Sequence, residues 1–108
     1  MSEFVLGPVD DIPVGEGRAY AVAGRQVAVF RLRSGELRAL DAVCPHRGGP
    51  LADGLIDDRV VVCPLHNFTY DLVTGCDVAD KGAGVDAHSV HVDDLGVLRL
   101  LFEDGIDA

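Results

Sequence analysis

Residues 25 to 40 read RQVAVFRLRSGELRAL. Ala28, Phe30 and Leu32 alternate with Val29, Arg31 and Arg33; Ser34–Gly35 then breaks the run, and Leu37 to Leu40 takes it up again. Successive side chains of a strand point to opposite faces, so this alternation around a Ser-Gly pair predicts an antiparallel hairpin. The pattern continues outward. RAYAVAGRQVAVF (18–30) predicts a second hairpin, turning at Ala23–Gly24. DRVVVC (58–63) reads as a strand, and FTYDLVTGCDV (68–78) as a strand, a Thr74–Gly75 turn and another strand. HSVHVDDLGVLRLLF (88–102) reads as a hairpin around Asp94–Gly96. VDDIPVGEG (9–17) has room for one short helical turn. No stretch sustains the period of an amphipathic helix. The expected fold is all-β: a small antiparallel sandwich or barrel of short strands, one domain over residues 1–108.

The composition bounds the function. At 108 residues and 48% hydrophobic, the chain builds one core. It holds no apolar run long enough to span a bilayer. The opening MSEFVLGPVD lacks a basic stretch ahead of an apolar one, so it does not read as a secretory signal, and a cytoplasmic protein is expected. In that compartment cysteines are more often metal ligands than disulfide partners, and three is an odd count for a disulfide framework. The formal net charge of −9 argues against nucleic acid or an anionic membrane as a partner. It suits docking on a basic patch of another protein; acidity also serves plain solubility.

Two stretches carry chemistry. CPHRGGPLADG (44–54) and CPLHNFTYD (63–71) each place a Cys, followed by a Pro, close to a His. The candidate ligands are Cys44, His46, Cys63 and His66: C-x-H, sixteen residues, then C-x-x-H. Both motifs fall where strands end, on loops about 43–54 and 62–71. Three readings compete. Chance is disfavoured, because the pairs leave only Cys76 unmatched among the cysteines. Structural zinc takes two Cys and two His in a tetrahedron, but its usual patterns pair Cys with Cys and His with His. A [2Fe–2S] cluster with two Cys on one iron and two His on the other makes sense of mixed motifs, since each loop then gives one ligand to each iron.

With both ligand pairs, both prolines, the glycines after the first pair and the aromatics after the second, CPHRGG and CPLHNFTYD resemble the Rieske [2Fe–2S] family. The resemblance covers roughly residues 3 to 102. It implies the small all-β Rieske domain, with Cys44 and Cys63 on the inner iron and His46 and His66 on the outer one. It implies an electron carrier rather than a catalyst, holding one [2Fe–2S] cluster. The nearest likeness is to the small subunit of NAD(P)H-dependent nitrite reductases, whose large subunit carries flavin and sirohaem. Many of those small subunits have lost the ligands that this chain keeps. The alternative is the ferredoxin component of a ring-hydroxylating oxygenase, fed by a flavin-containing reductase; a zinc-stabilised interaction module is a third reading.

Replacing two thiolates by neutral imidazoles lifts the potential from about −400 mV to between about −150 and +300 mV. High-potential members of the family add a cysteine to each loop, a serine two residues after the second His and a tyrosine four after it. Here the cysteines are missing, the serine position holds Phe68 and the tyrosine position holds Tyr70. The resemblance therefore implies a potential in the lower part of the range, falling further in alkali as the ligating imidazoles of the oxidised form lose protons. Tyr70 also reads simply as a half-buried strand aromatic. Gly48 and Gly49 let the backbone approach the sulfides, and Pro45, Pro50, Leu51, Pro64 and Leu65 would shield the cluster from water. Cys76 reads as a thiol on a strand, His88 and His91 as strand-surface or loop residues, and the many aspartates as turn formers.

Overall fold

A computed structural model of the chain describes residues 3–42, 50–57, 59–63, 69–76, 78 and 84–101. Among them are β1 (Glu3–Pro8), β2 (Glu16–Val22), β3 (Arg25–Arg31), β4 (Leu37–Asp41), β5 (Leu55–Ile56), β6 (Val60–Val62), β7 (Thr69–Asp71), β8 (Ala87–Val92) and β9 (Val97–Leu101). One antiparallel sheet runs β1–β9–β8–β4–β3–β2, and a smaller one runs β5–β6–β7. Short 3-10 turns occupy Val9–Asp11 and Leu51–Asp53, and no α-helix occurs among the described residues. The all-β antiparallel expectation holds.

Local chemistry explains each connection. Val22 pairs with Arg25, leaving a two-residue turn in which Ala23 (φ 52°) and Gly24 (φ 81°) are both left-handed. Such a turn matches the natural twist of the flanking strands. At the next hairpin the Gly35 N–H reaches the Leu32 carbonyl at 2.9 Å. Aspartates close three further turns, as side-chain oxygens that accept backbone N–H groups two to four residues on. Asp57 Oδ1 accepts from Arg59 (2.7 Å) and Val60 (2.8 Å) between β5 and β6. Asp71 Oδ1 accepts from Val73 (2.8 Å) and Thr74 (3.0 Å). Asp93 Oδ1 accepts from Leu95 (2.8 Å) and Val97 (3.1 Å) between β8 and β9. The turn reading of the aspartates is right at these positions.

The alternation in β3 has a two-sided meaning. Val27, Ala28, Val29 and Phe30 are all buried. Ala28 and Phe30, with Leu32 beyond the strand, join Leu40, Ala42, Leu51, Val61, Cys63, Tyr70 and Leu72 in one buried cluster. Val27 and Val29 join Ile12, Val22, Ala39, Leu98 and Leu100 in a second. The large sheet thus has a core on each face, and β3, next to the edge strand β2, contributes to both.

Three local expectations need correction. Among the described residues of 76–78 none lies in a strand, although two strand-like bonds are present: Asp71 N–H to Cys76 O and Val78 N–H to Thr69 O, both 2.9 Å. The chain diverges there because Gly75 N–H bonds Asp71 O (2.8 Å) and Gly75 O accepts from Val85 (2.8 Å). Cys76 is exposed and lies outside any strand. His88 is not a surface residue: its side chain has no exposure, because the β4–β8 seam closes over it. The sequence pattern also gave no separate notice of β1, which pairs with β9 and carries a register shift between Val5 and Gly7, or of β5.

Gly17 shows how tightly the layers meet. A Cβ there would lie 2.6 Å from Phe30 Cδ1 and 3.0 Å from the Ala52 carbonyl oxygen. Phe30 is fully buried and has nowhere to turn. Gly17→Ala is expected to cost about 1–3 kcal/mol in a urea unfolding experiment. A second expectation concerns acid. Asp71 is held below its ordinary 3.8, first by the Thr74 N–H; Asp93 likewise, first by the Arg99 guanidinium and then by the Val97 and Leu95 N–H groups. A depressed folded value means the stability these groups lend is complete above 3.8 and drains away as pH falls through the lower folded values. Asp71→Asn should therefore flatten the acid limb of a stability–pH curve, and an unchanged limb would refute the assignment.

Candidate metal centre

Two necks define the site. The first loop leaves β4 through Ala42 and returns at Leu51, where the Leu51 N–H donates to the Ala42 carbonyl at 2.8 Å. Ala42 and Leu51 are both buried. The second loop is the tip of the β6–β7 hairpin, whose register is Val60↔Asp71, Val61↔Tyr70 and Val62↔Thr69. Cys63 is the first residue past the last of these pairs. It has no exposure and belongs to the same buried cluster as Ala42 and Leu51. The necks of both motif-bearing loops are therefore rooted in one apolar cluster.

The link between the necks is short. The Leu51–Asp53 turn ends at Gly54, and Leu55 of β5 then pairs with Val62 of β6, next to Cys63. Gly54 makes this possible, since a Cβ there would run into the Val62 carbonyl oxygen and the Val61 side chain. Its place within the first motif was visible in the sequence. Its role was not, because a two-residue strand offers no period to read.

Of the four candidate ligands, the structure places Cys63. Cys44, His46 and His66 lie outside the described residues, as do Pro45, Gly48, Gly49, Pro64, Leu65 and Phe68. Pro50 is exposed, whereas Leu51 is fully buried. The donor chemistry of Cys63 fits a metal. Ionising a thiol inside an apolar cluster is costly on its own, and a bound cation removes that cost by holding the sulfur as thiolate. Among the described residues, no three His, Cys, Asp or Glu side chains gather into a metal site. Tyr70 is more enclosed than the half-buried expectation: it is fully buried, in the same cluster as Cys63 and across the ladder from Val61. His88 Nε2 lies 2.9 Å from Asp41 Oδ1, and the largely exposed His91 has its Nε2 3.5 Å from Glu3 Oε2.

Known proteins share this arrangement. The family model of the Rieske [2Fe–2S] domain matches residues 2–88. The ferredoxin component of the naphthalene 1,2-dioxygenase/salicylate 5-hydroxylase systems of Ralstonia sp. is 36% identical over 67 residues, covering 62% of this chain and 64% of the relative. The chain matches less than two thirds of the length of the first such curated relatives. A crystal structure from Mycobacterium tuberculosis, assigned as an NADH-dependent nitrite reductase small subunit, superposes with a TM-score of 0.85 at 25% identity, covering 92% of this chain and 93% of that one. The ferredoxin of carbazole 1,9a-dioxygenase from Nocardioides aromaticivorans shares the fold, with a TM-score of 0.84 at 24% identity over 95% of this chain and all of the other. With most of its length inside the family model and the same architecture throughout, the chain belongs to the Rieske [2Fe–2S] domain family.

Proposed function

We propose that this chain is a one-electron carrier whose [2Fe–2S] cluster is held by Cys44 and Cys63 on one iron and by His46 and His66 on the other. The observation that carries the reading is the burial of Cys63 at the root of one motif loop, in the cluster that also seats both ends of the other. A Rieske cluster, when bound, accepts and returns one electron. The chain supplies the rest. The Leu51–Ala42 bond and the β6–β7 ladder fix the two necks, and the apolar residues beneath Cys63 keep water from that side. Burial of Tyr70 in the same cluster makes its hydroxyl a candidate for raising the potential.

The domain serves a larger oxidoreductase and is not a catalyst by itself. A flavin-containing reductase is the donor on this reading, and a nitrite reductase large subunit is the acceptor; likeness to the M. tuberculosis small subunit across nearly the whole fold supports it. A terminal oxygenase is the alternative acceptor, supported by the 36% identity to the Ralstonia ferredoxin component. In either case a charge of −9 favours a partner with a basic docking face. No helix among the described residues is long and apolar enough to cross a membrane. We place the carrier in the cytoplasm, where thiols stay reduced and available to iron.

Protein expressed with ample iron should be reddish-brown and give, after dithionite, a rhombic electron paramagnetic resonance spectrum with average g below the free-electron value. Colourless protein containing zinc would remove the electron-carrier reading. Cys63→Ser should lose the spectrum while the far-ultraviolet circular dichroism stays β-rich. The midpoint potential should lie below about +200 mV, given Phe68 at the serine position and no added cysteines in the loops. Protein-film voltammetry at neutral pH reads that value directly.

A further inference from the structure

The large sheet is two three-stranded halves, β1–β9–β8 and β4–β3–β2, joined along β4 and β8. Their ladder contains just two register pairs, Ala39↔His88 and Leu40↔Ala87. Beyond it, the Asp41 N–H reaches the Asp86 carbonyl at 2.9 Å, and the chain then departs through Ala42 into the first motif loop. At that point of departure the Asp41 side chain is gripped from both sides. His88 Nε2 from β8 and Arg25 Nη2 from β3 meet the same Oδ1, at 2.9 and 3.0 Å. His88 is the one buried side chain of the polar or charged class among the described residues, and Asp41 remains partly exposed. A buried imidazole is costly without a partner; bonded to the Asp41 carboxylate it is satisfied, and such a buried polar link rigidifies the segments it joins. Ala42 shows what is fixed: its N–H bonds Gln26 O at 2.9 Å, and its carbonyl receives the Leu51 N–H that closes the loop.

We propose that Asp41, held by His88 and Arg25, is the positioning group for the first cluster loop. His88 is then a positioning residue of the metal centre although it stands on a strand 44 residues beyond Cys44 in sequence (88 − 44). The inference rests on the reading of Cys44 and His46 as ligands. Cys44 follows Asp41 by three positions, so their Cα atoms lie within about 11 Å whatever the path of the loop. A shift of the Asp41 side chain is therefore passed to the loop that gives one ligand to each iron.

The test uses the cluster-loaded protein. The wild-type spectrum first establishes the cluster, and its absence would count against the electron-carrier reading itself. His88→Leu is compared with His88→Gln, whose amide nitrogen takes the place of Nε2, and with Leu98→Ala, a destabilising lesion of the second buried cluster that leaves the Asp41 bonds intact. Loss of the visible absorption to an iron chelator should be roughly tenfold faster for His88→Leu. Its g-values should shift, and His88→Gln should restore both. If His88→Leu matches wild type in rate and g-values, or if Leu98→Ala loses iron as fast, the proposal falls. Should His88→Leu not fold, Asp41→Ala removes the same bond from its partly exposed side, and the same criteria decide.

Discussion

Closure of the first loop between Ala42 and Leu51 is the constraint on which the rest of the molecule depends. One backbone hydrogen bond of 2.8 Å returns the chain to the place it left, so residues between can serve a ligand without disturbing the sheet. The bond lasts because both of its residues are buried, where no water competes for the donor or the acceptor. The same apolar cluster takes in Cys63 at the root of the β6–β7 tip. The necks of the two motif-bearing loops are thus seated on one set of side chains.

The two-faced core explains how a chain this small holds such a site steady. β3 buries aliphatic and aromatic groups on both sides, so the sheet beneath the site is clamped rather than free to flex. The glycines at 17 and 54 belong to the same logic. Each marks where backbone meets its neighbour too closely for a side chain: Gly17 lies against the segment between the two necks at Ala52, and Gly54 lies within it. Charge plays a smaller part inside: apart from the grip on Asp41, Asp57, Asp71 and Asp93 close turns, and others such as Glu3 pair with cations at the surface.

Much of this was legible in the sequence. The hairpins could be read because alternation and turn residues are local signals: Ala23–Gly24 and Ser34–Gly35 fall where the letters put them, and the turn expected around Asp94–Gly96 is closed one residue earlier, by Asp93. The two Cys–His motifs stand out because Cys and His at such spacings have few other uses, and the family model that matches is that of the domain they resemble. What could not be read was non-local. His88 sits in a stretch that alternates like a surface strand, and its burial comes from pairing with β4, whose end carries its partner Asp41, 47 residues away. Tyr70 looked half-exposed because the cluster that covers it is assembled from β3, β4 and the Leu51–Asp53 turn. β5 is two residues long, too short to show a period at all.

The irregularity in β1 has a consequence of another kind. β1 is an outer strand of the large sheet, and an outer strand normally offers a row of unsatisfied backbone groups to any passing chain. The slip in register between Val5 and Gly7, followed by Pro8, breaks the regular spacing of that row and withholds one donor. For a carrier of the proposed kind, which has to meet its partners briefly and let go, this makes the flank a poor template for stacking and leaves encounters to other faces of the molecule.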